Sequence, residues 1–281
     1  MANFRKYFFF FLLPAFSAPA FAQVTLPTPN VESVLYVGKN KNQALVVGLG
    51  GSEGGNAWAS DYWEKTRNQF IEKGYAFLAL GYFGGTGTPD TLNKIAIEDI
   101  YNAIKIASKN KLIDKRKIAI IGGSRGADLA LLVGSYYKDI DCVVSIVGSN
   151  AVFPGHTNHF STSCWTYANK ELPFVPVNEA AVPFLMKRDL RGTFEAMLQD
   201  TLSVEKASIK VERIQGAVLF LSATKDETCP STLMAEMMTA RLKNKKFRYH
   251  YEHKALEGGH TEPLKHFDII FNFLETYFDK K

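Results

Sequence analysis

The 281-residue sequence has three cysteines and six histidines, and none of them are grouped with the spacing of a zinc site. We therefore expect no bound metal ion. Internal repeats and low-complexity tracts are also missing, and the length suits one large domain. Neither sign of charge dominates, because 33 basic residues stand against 28 acidic ones and the formal net charge is +5. This balance affects solubility and does not indicate a nucleic-acid partner.

Long apolar runs are missing after the first residues, which form a pattern of their own. Arg5 and Lys6 are followed by the apolar run Tyr7–Phe16 and then by Ala20-Phe21-Ala22. This order is typical of a secretory signal peptide, residues 1–22, that is cleaved after Ala22. A buried helix is the alternative, but the run is shorter than the roughly 20 residues of a membrane anchor. We expect an exported protein, periplasmic or secreted, without stable membrane insertion.

The remaining chain, residues 23–281, alternates between two kinds of pattern. Short apolar runs rich in β-branched residues predict buried strands at Ala44–Val47, Ala76–Leu80, Lys117–Ile121, Cys142–Val147, Ala217–Leu221 and Phe247–Tyr251. Helical spacing predicts helices at Asp61–Lys73, Lys94–Ser108, Gly126–Tyr137, Ser231–Lys243 and Pro263–Phe278. Such alternation implies an α/β fold with a mainly parallel central sheet and helices on both faces.

Residues 150–214 interrupt this alternation with several prolines and many aromatic residues. A loop of this length in a compact domain is usually functional or contains small elements of its own. We interpret it as a cap inserted over the active site, with aromatic side chains that line an apolar pocket. The alternative is a surface excursion whose aromatic residues pack on the main core.

The strand at Lys117–Ile121 is followed by Gly122-Gly123-Ser124-Arg125-Gly126, which contains the pattern G-x-S-x-G. The pattern alone is weak, but here a strand precedes it and a helix follows, as a nucleophile elbow requires. Glycines allow the sharp turn, and the helix N-terminus favours the negative charge that develops near the serine. The sequence thus predicts an α/β-hydrolase fold with Ser124 as the nucleophile.

A serine nucleophile needs a base and a group that orients the base. In this fold the chain order is serine, acid, histidine, and the last two follow strands. Asp226 follows the strand at Ala217–Leu221, and His260 lies in a glycine-containing loop after the next predicted strand. Glu227 is the alternative acid. His253 and His266 are other histidines of this region, predicted at a strand end and inside the last helix.

The loop after the first core strand supplies candidates for the oxyanion hole. It reads Gly48-Leu49-Gly50-Gly51-Ser52-Glu53-Gly54-Gly55, and its glycines allow backbone N–H groups to face a substrate. We predict donors at Gly51 and Ser52, together with the backbone N–H of Arg125. A flexible or phosphate-binding loop is the alternative, although the Lys-Ser/Thr ending of a P-loop is missing. The side chains of Arg125 and Asp128 are interpreted as structural.

The cysteines allow one disulfide. Cys142 lies in a predicted strand and is interpreted as a small core residue. Cys164 and Cys229 lie in irregular segments, and a bond between them is one possible pairing in an oxidising compartment.

From about Ala44 onward, and most weakly in the cap, the sequence resembles the C-terminal catalytic domain of the acyl-CoA thioesterase and bile-acid-CoA:amino-acid N-acyltransferase family. The similarity lies in Leu78–Gly84, Ile118–Ser135, Ser145–Ser149 and Gly258–Pro263, with dienelactone-hydrolase-like enzymes as a neighbouring match. The resemblance implies the same three positions, Ser124, Asp226 and His260. Transferase members carry a cysteine nucleophile, so the serine is more similar to the hydrolytic branch.

Together these features predict a serine hydrolase that cleaves a small-molecule acyl ester or thioester through an acyl-enzyme, with no cofactor. Acyl-CoA is intracellular, which conflicts with export, so the expectation does not specify CoA. The alternatives are an acyltransferase that uses an amine or alcohol, a dienelactone-hydrolase-like or peptidase activity, and a non-catalytic binding protein on a hydrolase scaffold.

Overall fold

The computed structural model describes residues 21–279, and eight strands of this range form one sheet. Numbered in chain order, the strands are β1 (Ala22–Leu26), β2 (Glu32–Val37), β3 (Gln43–Leu49), β4 (Ala76–Gly81), β5 (Ile95–Ala96), β6 (Ile113–Gly123), β7 (Cys142–Ile146), β8 (Trp165–Tyr167), β9 (Lys170–Glu171), β10 (Ala217–Ala223) and β11 (Tyr251–Leu256). The main sheet has the order β1-β2-β4-β3-β6-β7-β10-β11, and β5, β8 and β9 form a small second sheet.

Helices cover both faces of the main sheet. They are α1 (Glu64–Glu72), α2 (Ile97–Ala107), α3 (Arg125–Tyr136), α4 (Val182–Met186), α5 (Leu190–Leu198), α6 (Thr201–Ala207), α7 (Ser231–Asn244) and α8 (Phe267–Tyr277). One core contains Ile100 of α2, Leu131 of α3 and Met238 of α7. The core on the opposite face contains Phe70 of α1 and Phe271 of α8. Because the sheet is covered on both sides, β3, β4, β7 and β10 are buried along their whole length, which explains their continuous apolar sequences.

The predicted α/β-hydrolase architecture is confirmed. Each neighbouring pair is parallel in the part of the sheet with the order β4-β3-β6-β7-β10-β11. Two further strands, β1 and β2, are not among the predicted ones and add antiparallel pairs at the other edge. These strands lie close together along the chain, and β1 is mostly exposed, so its sequence has little apolar signal. The carboxyl ends of the parallel strands meet at one edge, where ligands of such sheets bind.

Two predicted boundaries near the C-terminus are wrong. The last strand is Tyr251–Leu256 and not Phe247–Tyr251, because the chain first closes a turn in which the Phe247 N–H donates to the Leu242 carbonyl. Since β11 is an edge strand with polar residues, its sequence did not resemble a buried strand. His253 lies within this strand, not at its end. His266 precedes α8 as its N-cap and is not inside a helix, because residues 262–265 form a separate 3₁₀ turn around Pro263.

The segment between β7 and β10 contains β8, β9 and helices α4 to α6, and it is called the insert below (residues 147–216). Two of its helices begin with an Asp side chain that caps the backbone: Asp189 accepts from the Gly192 N–H, and Asp200 accepts from the Ser203 N–H. The insert also has a small core of its own, in which Phe153 and Met197 pack with Cys229 from outside the insert. It is therefore folded onto the domain by apolar contacts.

Residues 1–20 of the predicted signal segment lie outside the described residues. Phe21 and Ala22, at the predicted cleavage point, belong to the edge of the sheet, where Ala22 pairs with Val37 and the Phe21 ring contacts Tyr36. Within residues 21–279, no helix combines the length and the apolar character needed to cross a bilayer.

Candidate active site

Ser124 lies on a strained turn between β6 and α3. Its backbone has φ 51° and ψ −121°, in a region that non-glycine residues rarely adopt and that costs about 1–3 kcal/mol. The Ser124 N–H donates to the Ile146 carbonyl at the end of β7, 2.8 Å away, and this bond holds the turn. The serine is thus placed at the carboxyl edge of the sheet, directly before the N-terminus of α3.

Glycines on both sides of the serine permit backbone segments to approach one another. A Cβ on Gly122 would lie 2.0 Å from the Gly126 carbonyl oxygen, and a Cβ on Gly126 would lie 2.1 Å from the Gly50 carbonyl oxygen. No side chain fits at either position without movement of the backbone. Gly123 differs, because the nearest atom to its added Cβ is a Leu264 methyl group 3.8 Å away. The outer glycines of the motif are therefore steric requirements of the turn.

Asp226 and His260 meet at the ends of β10 and β11. The His260 Nδ1 lies 2.9 Å from both carboxylate oxygens of Asp226, and the Asp226 side chain is fully buried. Burial raises the pKa of Asp226, but hydrogen bonds from His260, Ser231 and the Cys229 N–H outweigh it, so the pKa lies below its ordinary value. The carboxylate therefore stays ionised and accepts a hydrogen bond from the ring.

Glu227, the alternative acid, contacts a different part of the histidine. Its Oε2 accepts a hydrogen bond from the His260 backbone N–H at 2.9 Å, and the hydrogen bonds of the ring do not include it. Glu227 therefore holds the loop, whereas Asp226 holds the imidazole.

Ser124 and His260 line one cavity of about 740 Å³. Among the described residues, no hydrogen bond joins the serine hydroxyl to the histidine ring, and such bonds are often long in structures without substrate. The walls are mainly apolar, and the insert contributes Phe160, Leu185, Leu190, Phe194 and Met197. The insert therefore contributes to the cavity wall as well as to its own core, and Met197 belongs to both.

The glycine loop after β3 borders the serine. A Cβ on Gly51 would lie 3.1 Å from the Ser124 Cβ, so the Gly51 backbone is adjacent to Ser124. The Tyr82 hydroxyl donates to the Gly50 carbonyl at 2.7 Å and fixes the loop. The Gly51 N–H donates to Glu53 Oε1 at 2.9 Å, an interaction that the sequence analysis did not anticipate.

The other two predicted oxyanion donors differ in their placement. Ser52 lines the cavity and is exposed, and Arg125 is the first residue of α3. A backbone N–H in the first turn of a helix has no partner within the helix, so the Arg125 N–H is available beside Ser124. Its side chain pairs with Asp128, with 3.2 Å between Nη1 and Oδ2.

The described part of the chain contains one cluster of possible metal ligands. It consists of Asp226, Cys229 and His260, whose ligand atoms lie within 4.8 Å of one another. The Asp226 oxygens already accept from the His260 ring and from the backbone N–H groups of Thr228 and Cys229. Burial raises the pKa of the Cys229 thiol well above its ordinary value, so it lacks the thiolate that metals prefer. The donor set fits an acid–base pair better than a metal site.

The possible disulfide between Cys164 and Cys229 is not formed, and both thiols are buried and free. The Cys164 sulfur lies 3.1 Å from the Pro154 carbonyl oxygen, whereas Cys229 lies beside Asp226. The two segments that looked irregular in the sequence place the thiols in separate clusters, one in the main core and one in that of the insert. Burial raises the pKa of Cys164 to about 11.

Comparison with known proteins gives relatives that share most of this region of the chain. The family model described as BAAT / Acyl-CoA thioester hydrolase C terminal matches residues 95–263. Acyl-coenzyme A thioesterase 1 of Rattus norvegicus is 29% identical over 170 residues, which cover 60% of this chain and 38% of the relative. Acyl-coenzyme A amino acid N-acyltransferase 1 of Mus musculus is 25% identical over 172 residues, with the same coverage of 60% and 38%. The chain thus spans less than half the length of these curated relatives.

Solved structures share the fold at low sequence identity. An esterase of Pyrococcus furiosus superposes with a TM-score of 0.61 and 16% identity, and the match covers 92% of this chain and 91% of the esterase. The acylaminoacyl peptidase of Pyrococcus horikoshii gives a TM-score of 0.65 with 13% identity, over 93% of this chain and 42% of the peptidase. These matches agree with the α/β-hydrolase fold derived from the sheet order.

The glycine geometry yields a matched pair of variants. We expect Gly122→Ala to lower the free energy of unfolding by about 2–3 kcal/mol or more, because its methyl group overlaps the Gly126 carbonyl. Gly123→Ala, one residue away, changes it by less than about 1 kcal/mol, because space exists around its Cβ. Urea unfolding followed by circular dichroism measures both, and equal losses in the two variants would contradict the steric explanation.

Proposed function

The chain belongs to the BAAT / acyl-CoA thioester hydrolase C-terminal family, and from this we propose that it is a serine hydrolase that cleaves an acyl ester or thioester. Hydrolysis of acyl thioesters or esters is the activity at family level. The proposal adds that Ser124 is the nucleophile, His260 the base and Asp226 the group that orients the base. The observation that carries it is the contact of His260 Nδ1 with Asp226 beside the cavity that Ser124 also lines.

The proposed reaction has two steps. His260 Nε2 takes the proton of the Ser124 hydroxyl as the oxygen attacks the acyl carbonyl, and Asp226 stabilises the imidazolium that forms. The histidine returns this proton to the leaving alcohol or thiol, and an acyl-serine remains. Water then attacks the acyl group, again with His260 as the base, and the carboxylic acid leaves with regeneration of the serine.

The negative charge on the tetrahedral oxygen requires donors beside Ser124. The backbone N–H of Arg125 and the N–H of Gly51 are the proposed pair, with Ser52 as the neighbouring candidate. In the absence of substrate the Gly51 N–H is bound to the Glu53 carboxylate. This donor therefore has to exchange the carboxylate for the substrate oxygen during catalysis, and Glu53 is exposed enough to move aside.

The apolar cavity supports an acyl substrate, and a serine nucleophile supports water as the acceptor. The predicted signal segment would place the activity outside the cytoplasm, so the proposal specifies an acyl ester or thioester and not CoA. A second candidate is acyl transfer to an amine or alcohol, because a 25% identical relative is an acyl-coenzyme A amino acid N-acyltransferase.

We expect Ser124→Ala to lower kcat by about 10³-fold or more toward p-nitrophenyl esters and acyl thioesters of graded chain length. The loss follows because no other group is proposed to form the covalent intermediate. Ser149→Ala, which removes another hydroxyl from the wall of the same cavity, should change kcat by less than about tenfold. Rates of Ser124→Ala equal to those of the parent would exclude the serine mechanism.

Product analysis in the same assay separates hydrolysis from transfer. Free carboxylic acid formed in the presence of glycine, taurine or simple alcohols supports hydrolysis. Acylated acceptor as the main product would support the transferase candidate.

The two adjacent acids give a second test. We expect Asp226→Asn to lower kcat by about 10²–10⁴-fold, because the neutral amide no longer stabilises the imidazolium. Glu227→Gln removes a charge of the same size from the next residue but leaves the ring contact intact, so the loss should not exceed about tenfold. Steady-state kinetics of both variants measures this, and a larger loss in Glu227→Gln would assign the acid to Glu227 instead.

A further inference from the structure

Arg125, next to the proposed nucleophile, lines the cavity, and its guanidinium lies against Phe194 of the same lining. Its exposed fraction is 11%, and it is the one permanently positive side chain among the residues that line the cavity. Guanidinium groups carry several N–H donors in a planar fork. Within the described chain, this guanidinium makes one hydrogen bond, from Nη1 to Asp128 Oδ2 at 3.2 Å. Its remaining donors therefore have no protein acceptor.

Asp128 only partly satisfies this cation. The other oxygen of Asp128 accepts the Ser149 N–H at 2.7 Å, so the carboxylate is divided between the arginine and the backbone. Burial raises the pKa of Asp128, and the Arg125 charge opposes this rise without cancelling it. The pair is thus an asymmetric one, with a single contact in place of the two parallel bonds that arginine and a carboxylate can form.

Aromatic rings of the insert hold the guanidinium in place. Its central carbon lies 5.5 Å from the ring centroid of Phe153 and 5.4 Å from that of Phe194. These distances are within the range of cation–π contacts. If Arg125 served only to join α3 to the insert, an apolar side chain would fill this place without the cost of burying a charge. An ordered cation with unused donors at an apolar wall is instead suited to bind an anion.

We propose that the Arg125 side chain recognises a carboxylate at the far end of the acyl group, so that the preferred substrates are half-esters or half-thioesters of dicarboxylic acids. This inference rests on the proposed function and specifies its substrate class. The acyl end is favoured because the guanidinium contacts rings of the insert, and the insert supplies apolar side chains to the cavity wall. A carboxylate fits because its two oxygens match the planar fork of a guanidinium.

His156 adds an imidazole ring to the cavity lining. Desolvation by the surrounding chain and repulsion by Arg125 both lower the pKa of His156, so the ring is neutral at pH 7 and can donate one hydrogen bond. Glu53, the one carboxylate among the lining residues, accepts a hydrogen bond from the Gly51 N–H on the glycine loop. The two kinds of charge thus have separate partners in the cavity.

The test compares two N-acetylcysteamine thioesters that differ only in charge: the glutaryl thioester and its terminal carboxamide. We expect the parent protein to show about tenfold or higher kcat/KM for the carboxylate, the gain from charge-assisted hydrogen bonds. In Arg125→Met the ratio of the two kcat/KM values should fall to within about twofold of one, whatever the overall rate. Arg125→Lys keeps the charge and should retain part of the preference. Arg116→Met, which removes an exposed arginine far from the cavity, should retain all of it.

Equal kcat/KM for the two thioesters in the parent would overturn the inference and leave the proposed hydrolase intact. Failure of the parent to hydrolyse either thioester or any neutral ester would instead count against the proposed function. Binding measures recognition without turnover: by calorimetry, Ser124→Ala should bind the glutaryl thioester about tenfold or more tightly than its terminal carboxamide. Equal or undetectable binding of the two would overturn the inference even where Arg125→Met does not fold.

Discussion

The site depends on the close approach of three backbone segments at the turn that carries Ser124. Gly126 lies close to the Gly50 carbonyl, and Gly122 lies close to the Gly126 carbonyl. The turn that carries Ser124 and the glycine loop are therefore in contact without intervening side chains. The hydrogen bond from Ser124 to the Ile146 carbonyl ties the same turn to β7. Because these contacts fix the backbone on both sides of Ser124, the residue keeps its positive φ despite the conformational cost.

The remaining parts are positioned relative to that turn by the parallel sheet. Strands β10 and β11 end beside β6 and β7, so the loops that follow them bring Asp226 and His260 to the same edge as the serine. The insert lines part of the cavity with apolar side chains, among them a ring that contacts Arg125. We therefore propose that the chemistry depends on the sheet edge, whereas substrate selection depends on the insert and on the Arg125 side chain.

The sequence predicts correctly those features of the fold in which a local pattern has a local structural cause. The motif around Ser124 indicates a turn that requires glycine at positions 122 and 126. Continuous apolar runs indicate the buried strands. The predictions are wrong or incomplete where the structural cause lies in tertiary contacts. The edge strand β11 is too polar to resemble a core strand, and the separation of Cys164 from Cys229 depends on how the insert folds. The contact of Glu53 with Gly51 and the unused donors of Arg125 are side-chain arrangements that no spacing encodes.

Covalent labelling with a fluorophosphonate, followed by peptide mass spectrometry, tests whether Ser124 is the nucleophile. The account predicts one stoichiometric adduct on the peptide that contains Ser124, with hydrolytic activity lost in proportion to labelling. Cys229 lies in the wall of the same cavity, but burial raises the pKa of its thiol, so it should remain unlabelled. Activity that persists after complete labelling of Ser124, or inactivation through a different residue, would contradict the account.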